Sequence, residues 1–114
     1  MTLKRGDIVL VPFPFTDLSS QKVRPALVLT PDLISTDVVI AFISSYIQQK
    51  VLSTDYILGL GHMDFPATGL KKPSVFRMNK LLTVQRSLII RRLGKVSPAI
   101  QDELDRRLRV ATGL

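Results

Sequence analysis

A small, strongly curved β-sheet closed by one C-terminal helix is the architecture this sequence predicts. Three observations point to it. Short apolar, β-rich runs recur at close spacing with turn residues between them. The C-terminal stretch carries a capped amphipathic pattern. The chain has 114 residues, with no internal repeat, low-complexity tract or linker, so residues 1–114 read as one domain around one core.

Asp7–Pro14 (DIVLVPFP) alternates and reads as a first strand. Pro12 and Pro14 remove ladder donors and mark an edge or the strand's end. Thr16–Val23 is polar and reads as a loop. Pro25–Thr30 is wholly apolar, as suits a strand buried on both faces, and Thr30 with Pro31 offers the cap and first position of a single helical turn. Val38–Ile47 reads as a long β-branched strand and Thr54–Leu58 as a short one. Gly59–Pro73, with three glycines and two prolines, reads as a loop. Ser74–Val84 and Leu88–Val96 return to strand character. Ser97 then caps a helix with Pro98 at its first position. Ile100, Leu104, Leu108 and Ala111 form one apolar stripe. Carboxylates come early in that helix and Arg106, Arg107 and Arg109 late, so these arginines read as a solvated face matched to the helix dipole.

Composition narrows the function. There is no cysteine, which excludes disulfides and thiolate metal sites and fits a reducing cytoplasm. No apolar run reaches the length of a membrane span, and the start MTLKRGDIVL has neither an h-region nor a cleavage site, so a soluble cytoplasmic protein is expected, away from membranes. Sixteen Lys and Arg against nine Asp and Glu give a formal charge of +7. The excess is local. Phe65–Gln101 contains no carboxylate but holds Lys71, Lys72, Arg77, Lys80, Arg86, Arg91, Arg92 and Lys95. Such a stretch is the footprint of a polyanion, nucleic acid above all, or else a solvated basic face.

The chemistry available is sparse. His62 is the single histidine, in a Gly-rich loop, and reads as solvent-exposed. No His, Cys or carboxylate cluster has metal-ligand spacing, and no phosphate-binding glycine loop occurs, so no metal or cofactor is expected. RNA cleavage tolerates that poverty. The substrate carries its own nucleophile, the 2′-hydroxyl. The protein must only align it, offset the charge of the phosphorane and move protons. Arginine suits the second task through its planar, permanently charged fork. Pro25 holds the preceding Arg24 in extended backbone. Arg24 is then either a cation on a stiff mount, with Lys22 on the same side, or a surface charge where a loop ends.

The segment KRGDIVLVPFPFTDLSSQKVRPALVL, residues 4–29, resembles the PemK/MazF family of toxins of type II toxin–antitoxin systems. That family opens with Gly-Asp/Glu-Ile/Val, an apolar strand, a polar loop, then Arg-Pro and a second apolar strand. VVIAFISSYIQ and SVFRMNKLLTV are similar to later strands of the family, and the terminal helix agrees. The likeness runs over about residues 4–111. It implies an SH3-like barrel, mostly β with a C-terminal helix, that forms a homodimer. It also implies metal-independent, sequence-specific endoribonuclease activity on single-stranded RNA such as messenger RNA, and a cognate antitoxin that fills the RNA groove with an acidic segment.

Carried over residue by residue, Arg24 matches the Arg-Pro arginine of the family. Ser44 stands where a catalytic threonine is usual, and Arg77 matches a second functional arginine of the PemK branch. Asn79 stands where that branch has an aspartate base, and Ser19 where many members have a loop glutamate. Asp17, the nearest loop carboxylate, is expected as the replacement base, unless it only forms an Asx-turn or water takes the proton with slower turnover. Lys22, Gln21, Phe15, Asn79 and Lys80 are the expected RNA contacts, Phe15 by stacking on a base. Two rivals stand beside this reading: a barrel of the same fold that binds RNA without cutting it, and one that binds only an acidic protein partner.

Overall fold

A computed structural model describes residues 2–12, 22–30, 36–45 and 50–114. Phe15, Asp17, Ser19, Gln21 and the expected turn after Pro31 lie outside the described residues. The elements are β1 (Asp7–Pro12), β2 (Val23–Val28), β3 (Asp37–Ser45), β4 (Asp55–Leu58), β5 (Ser74–Gln85), β6 (Arg91–Lys95) and α1 (Pro98–Thr112), with single 3₁₀ turns at Pro66–Thr68 and Arg86–Leu88. The strands form one curled six-stranded sheet in the order β4-β5-β3-β2-β1-β6, and every pairing is antiparallel. This is the mostly β half-barrel with a closing helix that the sequence predicts.

Strand alternation divides the core in two. Ile8, Leu27, Ala41, Ile43, Phe76 and Met78 gather on one side with Ile100 and Leu104 of α1. Val9, Val11, Ala26, Val28, Val38 and Ile40 gather on the other with Leu3 and Ile89. The apolar run of β2 is thus buried on both faces, as its composition predicts. The helix begins where expected, with the Ile100 N–H donating to Ser97 Oγ at 3.3 Å.

Several boundaries differ from the sequence reading, each for a local reason. Thr30 Oγ1 accepts the N–H of Val39 at the end of the described part of that segment. Between β5 and β6 the chain makes a 3₁₀ turn, with Arg86 N–H bonded to Thr36 O and Ile89 buried, so β6 starts at Arg91 rather than Leu88. Within the Gly59–Pro73 stretch, Gly69 takes a left-handed φ of +73° to end the turn at Pro66–Thr68. A Cβ on Gly69 would meet Leu93 O at 2.2 Å, and one on Gly94 would meet Ala67 O at 2.3 Å. Only glycine allows these backbones to approach so closely, and the contact fixes the start of the Leu70–Lys72 segment against β6.

One irregularity matters for function. Along β3–β5 the register runs Ile40↔Leu82 and Ala41↔Leu81, then jumps to Phe42↔Arg77. Met78, Asn79 and Lys80 form a bulge with no partner in that ladder. Met78 turns into the core, while Asn79 and Lys80 are exposed. Bulges re-aim side chains in this way beside binding sites.

Candidate functional site

Register brings two of the sequence-selected residues, Arg77 and Ser44, together. Arg77 of β5 pairs with Phe42 of β3 on one flank and with Asp55 of β4 on the other. Ser44 lies two residues beyond Phe42, on the same face of β3. The Arg77 Nε–H donates to Ser44 Oγ at 3.2 Å, and Nη1 donates to Asp55 Oδ2 at 3.3 Å. Two residues 33 positions apart, each chosen from sequence, are therefore in direct contact.

Arg24 lies near the start of β2. Ala26 pairs with Phe42, the residue opposite Arg77, and the β2–β3 ladder ends there, two residues short of Arg24 and Ser44. Arg24 is exposed and opens onto a hollow of about 230 Å³ lined by Pro25, Ile43, Ser45, Ser74 and Lys71 with Lys72. Three cations border this hollow, and none of the residues lining it is a carboxylate. Arg24 thus sits in extended backbone, as Pro25 predicts, and its hollow is lined by Ile43 and Ser45, which alternate with Ser44, and by neither Ser44 nor Arg77.

Asp55 is the residue that sequence reading missed. Its side chain is 1% exposed. Oδ2 accepts both Arg77 Nη1 and the N–H of Leu52 at 3.0 Å, while the Asp55 N–H returns to Leu52 O at 3.0 Å. Its other oxygen, Oδ1, is buried without a hydrogen-bond partner among the described residues. In sequence, the only sign was a carboxylate at the head of an apolar strand, DYIL, which reads equally well as a turn residue.

The C-terminal arginines need a correction. Arg106 and Arg109 are exposed, as expected, but Arg107 is half-buried. Its Nε–H donates to Asp55 O at 2.9 Å, its guanidinium lies 5.0 Å from the centroid of the Tyr56 ring, and Nη1 bonds to the carboxylate of Glu103. Bonding to Arg107 holds the Glu103 carboxyl below its ordinary value. Burial pushes the Tyr56 hydroxyl up, the charge of Glu103 adds to that, and Arg107 opposes both. Helix α1 therefore grips the backbone of Asp55, and so supports the strand that faces Arg77.

The other expected residues divide. Lys22 precedes β2 and is exposed, and Asn79 and Lys80 stand out on the bulge just past Arg77. His62 is half-buried rather than fully exposed, because its Nδ1 accepts the N–H of Asp64 at 3.0 Å within a tight turn. Asp7, of the opening Gly-Asp, has a fastening role: its carboxylate accepts Lys4 N–H at 2.8 Å and faces Arg92 Nε at 3.3 Å, tying the N-terminal turn to β6. No group of three or more His, Cys, Asp or Glu among the described residues is placed to hold a metal ion. No helix among them is long and apolar enough to cross a membrane.

Comparison with known proteins places this geometry. A family model described as PemK-like, MazF-like toxin of type II toxin–antitoxin system matches residues 4–112. No curated protein matches the chain. Among solved structures, an endoribonuclease in complex with its cognate antitoxin, from a mycobacterial species, superposes with a TM-score of 0.75 at 19% identity, covering 98% of this chain and 96% of that one. The Mycobacterium tuberculosis toxin MazF-mt6 gives 0.74 at 22% identity over 95% and 97%. MazF from Deinococcus radiodurans gives 0.75 at 18% identity over 100% and 99%.

Proposed function

Since the chain belongs to the PemK-like, MazF-like toxin family of type II toxin–antitoxin systems, we propose that it is an endoribonuclease that cuts single-stranded RNA through the substrate's own 2′-hydroxyl. The observation that carries the proposal is the contact of Arg77 Nε with Ser44 Oγ at 3.2 Å.

The chemistry follows from what these groups can donate. The 2′-oxygen attacks the adjacent phosphorus, a phosphorane forms, and the bond to the 5′-oxygen breaks as that oxygen takes up a proton from water. A cyclic phosphate and a 5′-hydroxyl end result. Arg24 and Arg77 offset the charge that accumulates on the non-bridging oxygens. A hydroxyl has one proton to give and two lone pairs. Because Ser44 Oγ accepts from Arg77, its proton is directed elsewhere, toward a phosphate oxygen. Asp17 takes the proton of the 2′-hydroxyl. Lys22, Asn79 and Lys80 hold flanking nucleotides, Gln21 and Phe15 contact bases, and Lys71 with Lys72 meets the backbone as it passes Arg24.

The protein works as a homodimer in the cytoplasm and is held inactive by an antitoxin whose acidic segment competes for the same cations. Two solved relatives are complexes of this type: the mycobacterial endoribonuclease with its cognate antitoxin, and MazE–MazF from Deinococcus radiodurans.

The test is incubation of purified protein with mixed single-stranded RNA in EDTA, followed by analysis of fragment ends. Cyclic-phosphate and 5′-hydroxyl ends are expected, and an RNA with a 2′-deoxyribose at the cut position should bind but stay whole. Cleavage of that deoxy substrate would refute the mechanism. RNA retained but uncut in every case would favour the binding barrel instead.

A further inference from the structure

We infer that Asp55 is a positioning residue that aims the guanidinium of Arg77 at the scissile phosphate. This rests on the endoribonuclease reading above.

Asp55 cannot be the base. With its side chain 1% exposed, its oxygens are out of reach of a substrate hydroxyl. What it does reach is Arg77. Arginine presents a rigid planar fork, so two fixed donors define the plane and direction of the rest. Here Nε is held by Ser44 and Nη1 by Asp55. The remaining amino group, Nη2, takes part in neither of these contacts. It is the arm left for a phosphate oxygen. Asp55 is itself anchored from three sides: by the Leu52 N–H on Oδ2, by the Arg107 Nε–H on its carbonyl, and by its place opposite Arg77 in the β4–β5 ladder.

The turn at Leu52 does not account for the charge. An asparagine would accept the Leu52 N–H equally well through its side-chain oxygen. It would also avoid burying an ionised group whose second oxygen is unpartnered, an arrangement that disfavours the folded state. Among the described residues, the cation paired with this carboxylate is Arg77. The negative charge fixes the fork before substrate arrives, so no reorganisation is required as the phosphorane forms.

D55N is the variant that separates these roles, since it keeps the turn and removes the charge. Single-turnover cleavage should slow by about 100-fold, as misplacement of an aligned group does, while affinity for an uncleavable 2′-O-methyl RNA changes by less than about two-fold. In an R77A background, D55N should cause no further loss. A D55N protein that cuts at the wild-type rate would overturn the inference, as would an equal loss in both backgrounds. If D55N does not fold, D55S, whose hydroxyl also accepts the Leu52 N–H, takes its place. The Arg77 Nε–H resonance supplies a readout independent of cleavage. It should be sharp and protected in the RNA-free wild type and exchange-broadened in D55N, and an unchanged signal would refute the positioning. A wild type that cuts no RNA at all would defeat the endoribonuclease reading, and the arginine signal would still decide whether Asp55 orients Arg77.

Discussion

Two of the molecule's arginine–aspartate pairs, Arg5–Asp105 and Arg77–Asp55, look alike on paper and differ in kind. Arg5 grips Asp105 through two contacts, at 2.6 and 3.3 Å, with Gln101 adding a third at 2.8 Å. Both partners meet water, at 35% and 24% side-chain exposure. Arg77 holds Asp55 by one contact of 3.3 Å, and that carboxylate is sealed from solvent. The better-made pair is the tether, fastening the N-terminal segment to α1. The looser pair holds a carboxylate whose Oδ1 has no hydrogen-bond partner among the described residues, against an arginine whose Nη2 takes part in neither contact. A fold selected for stability alone would favour the first arrangement. The second is what a site looks like when geometry is maintained at some cost in stability.

Removing the arginine from each pair is the sharpest way to break this contrast. R77A leaves a buried carboxylate without its counter-ion and should destabilise the fold by about 3 kcal/mol in urea denaturation. R5A leaves only a hydrated carboxylate and should cost no more than about 1 kcal/mol after solvent screening. Equal losses would erase the distinction drawn here.

Ser44 sharpens it further. S44A removes the hydroxyl that both accepts from Arg77 and donates to phosphate, and cleavage should fall by about 100-fold. S44T keeps the hydroxyl and should restore most of the rate. Failure of threonine to rescue would mean that the contact at 3.2 Å does not serve the reaction.

Smaller effects are expected at the rim. K71A and K72A should each weaken RNA binding and lower the salt dependence of log K by about one unit of slope. An unchanged slope would remove the cationic hollow beside Arg24 from the path of the RNA.

The smallest effect is acid sensitivity at the tether. Burial raises the Asp105 carboxyl, but hydrogen bonds from Arg5 and Gln101 and the charge of Arg5 outweigh it and leave it below its ordinary 3.8. A lowered carboxyl contributes stability that is complete above its unfolded value and is lost as pH falls through the folded one. The stability gap between wild type and R5A should therefore be full at pH 7 and close as pH drops below 3.8. A gap that persists in acid would show that Arg5 acts through packing rather than charge.

Much of this was legible in the chain. Apolar runs and turn residues fixed the strand content, and Ser97–Pro98 fixed the helix start, because those signals are local. Arg24 was legible through Pro25, whose ring restricts its neighbour. Arg77 and Ser44 were legible only by resemblance, since nothing in their spacing says that β3 and β5 pair with Phe42 opposite Arg77. Asp55 was hidden for the same reason: its meaning comes from the ladder that puts it across from Arg77. Arg107 misled because helix periodicity describes one element, and what it touches, Asp55 and Tyr56, belongs to another. The bulge at Met78–Lys80 also escaped, as the run SVFRMNKLLTVQ carries no glycine or proline to mark it.

The most direct test of the two-arginine assignment is single-turnover cleavage by R24A and R77A, with RNA affinity measured on the same preparations. We expect each substitution to reduce the cleavage rate at least about 100-fold while binding weakens far less, because the guanidinium charge is needed most in the transition state. Cleavage at the wild-type rate by either folded variant would contradict the assignment of phosphorane stabilisation to this pair.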